Sequence, residues 1–151
     1  MTVFADPSAI VKLYVDENGH EDVRAHATLA VAQIARVEVP AAFWRKVRLG
    51  ELDPVDAGVL IRDFEADYYG TAAEPPRFAV MAVTVPILDD AATLCARHPL
   101  RGFDAIQLAS ALAVRQIDAG ITTMAVFDVA LRTAAAAEGL ALSPGGLPAG
   151  R

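Results

Sequence analysis

Residues 3–15 read VFADPSAIVKLYV, and this stretch decides the fold class. The first three residues are apolar and fit a short buried strand that ends at Asp6. Pro7 suits the first turn of a helix, which Ser8 and the apolar residues after it can continue to Val15. A buried strand that passes directly into a helix is typical of an α/β domain with a parallel sheet.

The same alternation of short apolar runs and helical patterns continues outward along the chain. We predict further strands at residues 30–34, 78–85, 122–127 and 140–142, and helices at 21–29, 36–49, 54–68, 86–97, 103–117 and 129–137. Strands alternating with helices predict an α/β fold with a mainly parallel sheet. The chain has 151 residues and no internal repeat, so we expect one domain over residues 1–143 and a flexible Gly- and Pro-rich tail over residues 144–151.

Composition limits the compartment and the class of partner. Cys95 is the single cysteine, which excludes an intramolecular disulfide and fits a reducing cytoplasm. No apolar stretch reaches the roughly 20 residues that span a bilayer, and the N-terminus lacks the pattern of a signal peptide, so no membrane role is expected. The formal net charge of −6 disfavours a nucleic-acid partner, although a carboxylate-lined site would itself carry much of that charge.

Four acidic residues lie where predicted strands give way to helices: Asp6, Glu38, Asp104 and Asp128. Asp6 and Asp128 follow strands, while Glu38 and Asp104 lie in first turns of helices, so all four can face the carboxyl edge of a parallel sheet. Taken singly, each aspartate could cap a helix or complement its dipole. Glu38 has apolar neighbours, where an unpaired carboxylate is costly. Together the acids predict a site for divalent cations, because uncompensated carboxylates repel one another.

Such a site suits phosphoryl-transfer chemistry. Mg²⁺ and Mn²⁺ prefer hard oxygen ligands, lower the pKa of a bound water and neutralise charge on a phosphate. Ser8, two residues after Asp6, could hydrogen-bond a metal water or a phosphate oxygen, or could bond locally to the backbone. Basic residues near the acids could line an RNA groove or could form solvated helix faces: Arg36, Arg45, Lys46, Arg48 and Arg101.

Four segments carry a resemblance to a known family: FADPSAIVKLY, ARVEVPAAFWRKVRLGELDP, HPLRGFDAIQLASAL and FDVALRTAAAAEGL. In this order they resemble PIN-domain ribonucleases of the VapC type, the toxins of bacterial toxin–antitoxin pairs. The resemblance runs from Asp6 to Leu140. No single motif is specific, but the ordered set is considerably more so.

The resemblance implies a three-layer α/β/α sandwich, PIN-like, around the short parallel sheet. It also implies an endoribonuclease that depends on one or two Mg²⁺ or Mn²⁺ ions, that is commonly dimeric, and that is inhibited by a small antitoxin protein entering the active site. The family's four acids fall on Asp6, Glu38, Asp104 and Asp128, and its small hydroxyl residue falls on Ser8. Two hydroxyl residues common in the family are absent, since Gln33 and Val126 stand in their places.

Two alternatives remain at the level of sequence. A phosphatase could use Asp6 as a covalent nucleophile, although that chemistry usually has a second acid two residues later, where Ser8 stands. A non-catalytic module, either receiver-like or a silent PIN domain, could bind the cation without cutting RNA. The sequence identifies neither the RNA nor the antitoxin.

Overall fold

A computed structural model describes residues 1–146 of the chain. In this part of the chain five strands form one sheet, β1 (Thr2–Ala5), β2 (Thr28–Ala32), β3 (Phe78–Met81), β4 (Thr123–Ala125) and β5 (Ala141–Ser143). The strand order is β3-β2-β1-β4-β5, and every neighbouring pair is parallel. The carboxyl ends of β2, β1 and β4 therefore lie side by side at one edge of the sheet.

Seven helices of the described residues connect these strands: α1 (Pro7–Ile10), α2 (His20–Arg24), α3 (Ala35–Arg48), α4 (Pro54–Tyr69), α5 (Val85–Arg97), α6 (Gly102–Ile117) and α7 (Val129–Ala137). A 3-10 turn at Val11–Leu13 extends α1. Local signals fix several ends. Asp53 caps α4 through a hydrogen bond from the Val55 amide, and Pro54 occupies its first turn.

The helices cover both faces of the sheet and form two hydrophobic cores. Alternation along β1 shows this division, since Phe4 packs with α5, α6 and α7, whereas Val3 and Ala5 pack with α1 to α4. Side chains of a strand point to opposite faces in turn, so each buried strand contributes to both cores. The α/β/α sandwich predicted from the resemblance is confirmed.

One predicted helix is wrong, and the strand predicted over residues 78–85 is too long, since β3 ends at Met81 and Val85 belongs to α5. The helix predicted over residues 21–29 ends at Arg24, and residues 28 and 29 belong to β2. Leu29 pairs with Val3 of β1 and is 1% exposed, so sheet pairing and burial in the core override the helical pattern of this alanine-containing segment. The sheet is wholly parallel rather than mainly so.

The predicted tail falls partly outside the described residues, which end at residue 146. Within them the Arg132 side chain donates a hydrogen bond to the Pro144 carbonyl at 2.7 Å, so the start of this segment is attached to α7. Among residues 1–146, no helix combines the length and the apolar character needed to cross a bilayer.

Candidate active site

The four predicted acids lie around one cavity of about 490 Å³ at the carboxyl edge of the sheet. Asp6 directly follows β1, and Asp128 lies three residues after the end of β4. Glu38 and Asp104 project from the first turns of α3 and α6. Because β1 pairs with β2 and with β4, residues that are up to 122 positions apart in the sequence line the same cavity.

Asp6 has both a capping role and a place in the cavity. Its Oδ1 accepts hydrogen bonds from Ser8 Oγ at 2.6 Å and from the Ala9 amide at 3.3 Å. Ser8 Oγ in turn accepts from the Phe127 amide at 2.9 Å. The serine thus links the loop after β1 to the loop after β4, and it holds Asp6 in place. Asp6 is only 4% exposed.

Glu38 has a partner that the sequence did not indicate. Gln107 on α6 is fully buried, and its Nε2 donates a hydrogen bond to Glu38 Oε1 at 2.7 Å. The Oε1 atom of Gln107 is buried, and no group among residues 1–146 hydrogen-bonds it. Gln107 lies three residues after Asp104, on the same side of α6. A glutamine at this spacing within an apolar run was the signal that could have identified it.

Asp104 and Asp128 complete the cavity wall. Asp128 caps α7, since its Oδ1 accepts from the Leu131 amide at 2.9 Å. Asp104 is partly exposed and lies 3.5 Å from the Arg101 guanidinium. Asp6 and Asp128 therefore each cap a helix and also line the cavity. The two roles are compatible because a helix that starts at the end of a parallel strand has its N-terminus at the edge of the sheet.

Each acid is electrostatically coupled to the next around the cavity. Burial raises the pKa of Asp6 to about 7. Hydrogen bonds from Ser8 and from two backbone amides oppose this rise, and the Glu38 charge adds to it. Burial also raises the pKa of Glu38 to about 7, although the Gln107 hydrogen bond opposes it and the Asp104 charge adds to it. Burial and the Asp128 charge raise the pKa of Asp104. Without a cation, the protein resists holding all these carboxylates ionised.

The donor set fits a hard divalent cation. Carboxylates with raised pKa values around one cavity are stabilised when positive charge is placed between them. In residues 1–146, no three or more Asp, Glu, His and Cys side chains are already arranged as a metal site. Mg²⁺ usually keeps several waters and binds through one or two carboxylates, so a cage of three is not required.

The predicted basic residues separate into two groups. Arg101, Arg45 and Lys46 line the cavity. Arg36 does not, because its guanidinium bonds Glu65 Oε1 at 2.5 Å and Tyr69 Oη at 3.1 Å on α4. Arg48 borders a neighbouring, more apolar cavity instead. Three further charged side chains that the sequence interpretation passed over also line the acidic cavity: Lys12, Glu17 and Glu51.

The two positions that lack the family's hydroxyl residues have structural roles. Gln33 Oε1 accepts a hydrogen bond from the Val83 amide at 3.1 Å and so anchors the segment after β3. Val126 is fully buried in the core beneath the Asp128 loop. Neither residue lines the cavity of the four acids.

Two curated relatives match nearly the whole chain. The chain is 36% identical over 147 residues to Ribonuclease VapC45 of Mycobacterium tuberculosis (strain CDC 1551 / Oshkosh) and to Ribonuclease VapC49 of Mycobacterium tuberculosis (strain ATCC 25618 / H37Rv). In both cases the match covers 94% of each chain. The chain belongs to the VapC ribonuclease family. No protein-family model matches it.

Solved structures support the VapC fold. PAE2754 from Pyrobaculum aerophilum superimposes with a TM-score of 0.63 at 19% identity, over 95% of this chain and 85% of the other. FitAcB from Neisseria gonorrhoeae gives a TM-score of 0.62 at 16% identity, over 96% of this chain and 99% of the other. At these identities the likeness shows the fold alone, and it is the PIN-like α/β/α sandwich.

Proposed function

We propose that this VapC protein is a metal-dependent endoribonuclease and acts as the toxin of a toxin–antitoxin pair. The observation that carries the proposal is the placement of Asp6, Glu38, Asp104 and Asp128 around one cavity, in a chain 36% identical to named ribonucleases. The single cysteine is in keeping with a reducing, cytoplasmic setting.

The four carboxylates are the proposed ligands of one or two Mg²⁺ or Mn²⁺ ions. When bound, such an ion lowers the pKa of a coordinated water and neutralises charge on the scissile phosphate. Ser8 holds Asp6, and Gln107 holds Glu38, each through one short hydrogen bond to a carboxylate oxygen. These bonds fix the carboxylate orientations that ion binding requires. Arg101 and Arg45, at the cavity wall, supply positive charge for the RNA backbone.

The test is the purified double variant Asp6→Asn/Asp104→Asn, assayed on a labelled single-stranded RNA with Mg²⁺ or Mn²⁺. We expect cleavage to be lost and Mn²⁺ binding by calorimetry to weaken, while far-UV circular dichroism shows a folded protein. Asp63→Asn, at an exposed position on α4, is the matched control and should cleave like the wild type. Cleavage retained by the double variant would refute the proposed site.

The same experiment separates the alternatives. A receiver-like or silent module would bind Mn²⁺ but leave RNA intact in the wild type. The phosphatase alternative predicts a phosphoaspartyl adduct on Asp6, yet Oδ1 of this residue is already engaged by Ser8 and Ala9.

The partner proposals rest on exposed apolar side chains near the site. Val37, Leu49 and Phe103 are each more than 60% exposed, and Trp44 is 41% exposed. Apolar groups of this size are costly to leave in water, which supports a protein interface on α3 and the start of α6. We propose a homodimer and an inhibitory antitoxin. Co-expression with the product of an adjacent small reading frame, followed by light scattering of the purified species, tests both.

A further inference from the structure

Two lysines meet one carboxylate on the cavity wall beside the four acids. Lys12, in the turn after α1, lies 3.2 Å from Glu17 Oε2. Lys46, on α3, hydrogen-bonds the other oxygen of the same carboxylate, Oε1, and also lies 3.7 Å from Glu51 Oε2. All three residues line the cavity that contains Asp6 and Glu38.

This cluster is unusually sheltered for lysines. Lys12 is only 9% exposed, and its ammonium lies 4.4 Å from the centre of the Phe127 ring. The amide of Phe127 bonds Ser8, which holds Asp6, so the lysine is tied to the acid site through adjacent contacts. The Lys46 side chain is 20% exposed. Partial desolvation strengthens the attraction of such ammonium groups for an anion.

The geometry matches a phosphate. Both ammonium groups lie within bonding reach of the two oxygens of one carboxylate, so one tetrahedral anion could also bridge them. Glu17 occupies the position that such an anion would take. Each lysine stands close to an acid in the sequence, with Lys12 six residues after Asp6 and Lys46 eight residues after Glu38. Both lysines line the cavity of the four acids, so an anion held between them would lie in the same cavity as the proposed cation.

We propose that Lys12 and Lys46 form a binding subsite for one backbone phosphate of the RNA, and that Glu17 occupies this subsite until the RNA displaces it. This inference rests on the proposed function, since it places a substrate phosphate beside the ribonuclease site. Glu17 then acts as an internal competitor: it keeps two sheltered ammonium groups paired while the site is empty, and it weakens RNA binding.

The first experiment removes the lysines. Lys12→Met and Lys46→Met keep the apolar stems but lose the charge, and Arg62→Met, at an exposed position on α4, is the charge-matched control. In steady-state cleavage assays we expect KM for a single-stranded RNA to rise about tenfold with kcat nearly unchanged, because a binding contact away from the reacting bond is lost. Arg62→Met should leave both constants near the wild-type values.

The second experiment measures binding of a fluorescein-labelled single-stranded RNA by anisotropy in EDTA, from about 50 to 200 mM salt. The slope of log affinity against log salt is negative, and each lysine variant should reduce its magnitude by up to about 0.7. This is the value for one phosphate contact on a single strand. Because both lysines bind one phosphate, the slope of the double variant Lys12→Met/Lys46→Met should decrease in magnitude by no more than about 0.7.

The third experiment removes the competitor. Glu17→Gln should bind the RNA several-fold more tightly than Glu21→Gln, which makes the same charge change at an exposed position on α2. If the cluster only stabilises the fold, Glu17→Gln would lower stability and would bind RNA no better than Glu21→Gln.

The outcomes distinguish this inference from the proposed function. If the wild type does not cut RNA, the proposed function fails. If the wild type cuts RNA while the lysine variants retain its KM and salt dependence, the phosphate subsite is refuted and the ribonuclease assignment stands. If a methionine variant does not fold, the comparison of Glu17→Gln with Glu21→Gln carries the test, and equal RNA affinities of these two variants refute the subsite.

Discussion

Substitution of Asp6 by asparagine should stabilise the metal-free protein at alkaline pH while it removes activity. The side chain is 4% exposed, and burial raises its pKa from the ordinary value of 3.8 to about 7. A difference of about three pH units corresponds to about 4 kcal/mol of unfolding free energy. This is a large fraction of the 5–15 kcal/mol that typically stabilises a domain.

The sign follows from the two pKa values. Below about pH 4 the Asp6 carboxyl is neutral in both the folded and the unfolded state, so it imposes no electrostatic cost. Between about pH 4 and pH 7 the unfolded chain has released this proton while the folded protein still holds it, so stability falls as pH rises. Above about pH 7 the folded protein carries the full cost of a buried charge.

Asparagine at position 6 keeps the shape and the accepting oxygen but has no charge to bury. The stability of Asp6→Asn relative to the wild type should therefore rise by about 4 kcal/mol between about pH 4 and pH 8. Urea unfolding followed by circular dichroism, in EDTA across this range, measures the change. The constant contribution of asparagine packing cancels because only the pH dependence is compared.

Two comparisons sharpen the experiment. Asp63→Asn, which makes the same substitution at an exposed position, is the control variant measured at each pH. Mg²⁺ should restore stability to the wild type at alkaline pH but should have a weaker effect on Asp6→Asn, because a ligand that binds only the folded state stabilises it by mass action. A stability difference between Asp6→Asn and the wild type that does not change with pH would refute the reasoning.

Three further substitutions address the neighbouring contacts. Gln107→Leu removes the buried donor to Glu38, so we expect Mn²⁺ affinity measured by calorimetry to fall about tenfold or more; an unchanged affinity would show that Gln107 does not position the carboxylate. Ser8→Ala removes two hydrogen bonds that join the loops after β1 and β4, and it should lower the urea unfolding free energy by about 1–3 kcal/mol, whereas Ser8→Thr keeps the hydroxyl and should lose less. Gly19→Ala should lower the urea unfolding free energy by at least about 1 kcal/mol, because the backbone has φ +88° and an added Cβ would meet the Phe127 ring. Gly58→Ala, with open space in α4, should instead be neutral or stabilising in the same assay.

Much of the fold was predictable because its signals are local. Apolar runs, caps and proline positions predict the strand that ends just before Asp6, the Asp53-Pro54 start of α4 and the limits of α7. The helix predicted over residues 21–29 failed because Leu29 is buried in the sheet, and pairing with β1 is a long-range contact that no local pattern shows. Alanine adds to this ambiguity, since it is compatible with a helix and with a buried strand.

The sequence by itself determined the order of the four acids, their positions at strand ends and helix starts, and the family to which they point. Only the tertiary structure decided which side chains share the cavity with them. Arg36 bonds α4, while Gln107 turns towards Glu38, and Lys12 and Lys46 meet at Glu17. The physical reason is that the facing direction of a helical side chain depends on how the helix packs. In alanine-rich helices the apolar pattern fixes that direction weakly, whereas the parallel pairing of β1 with β2 and β4 brings the strand ends together.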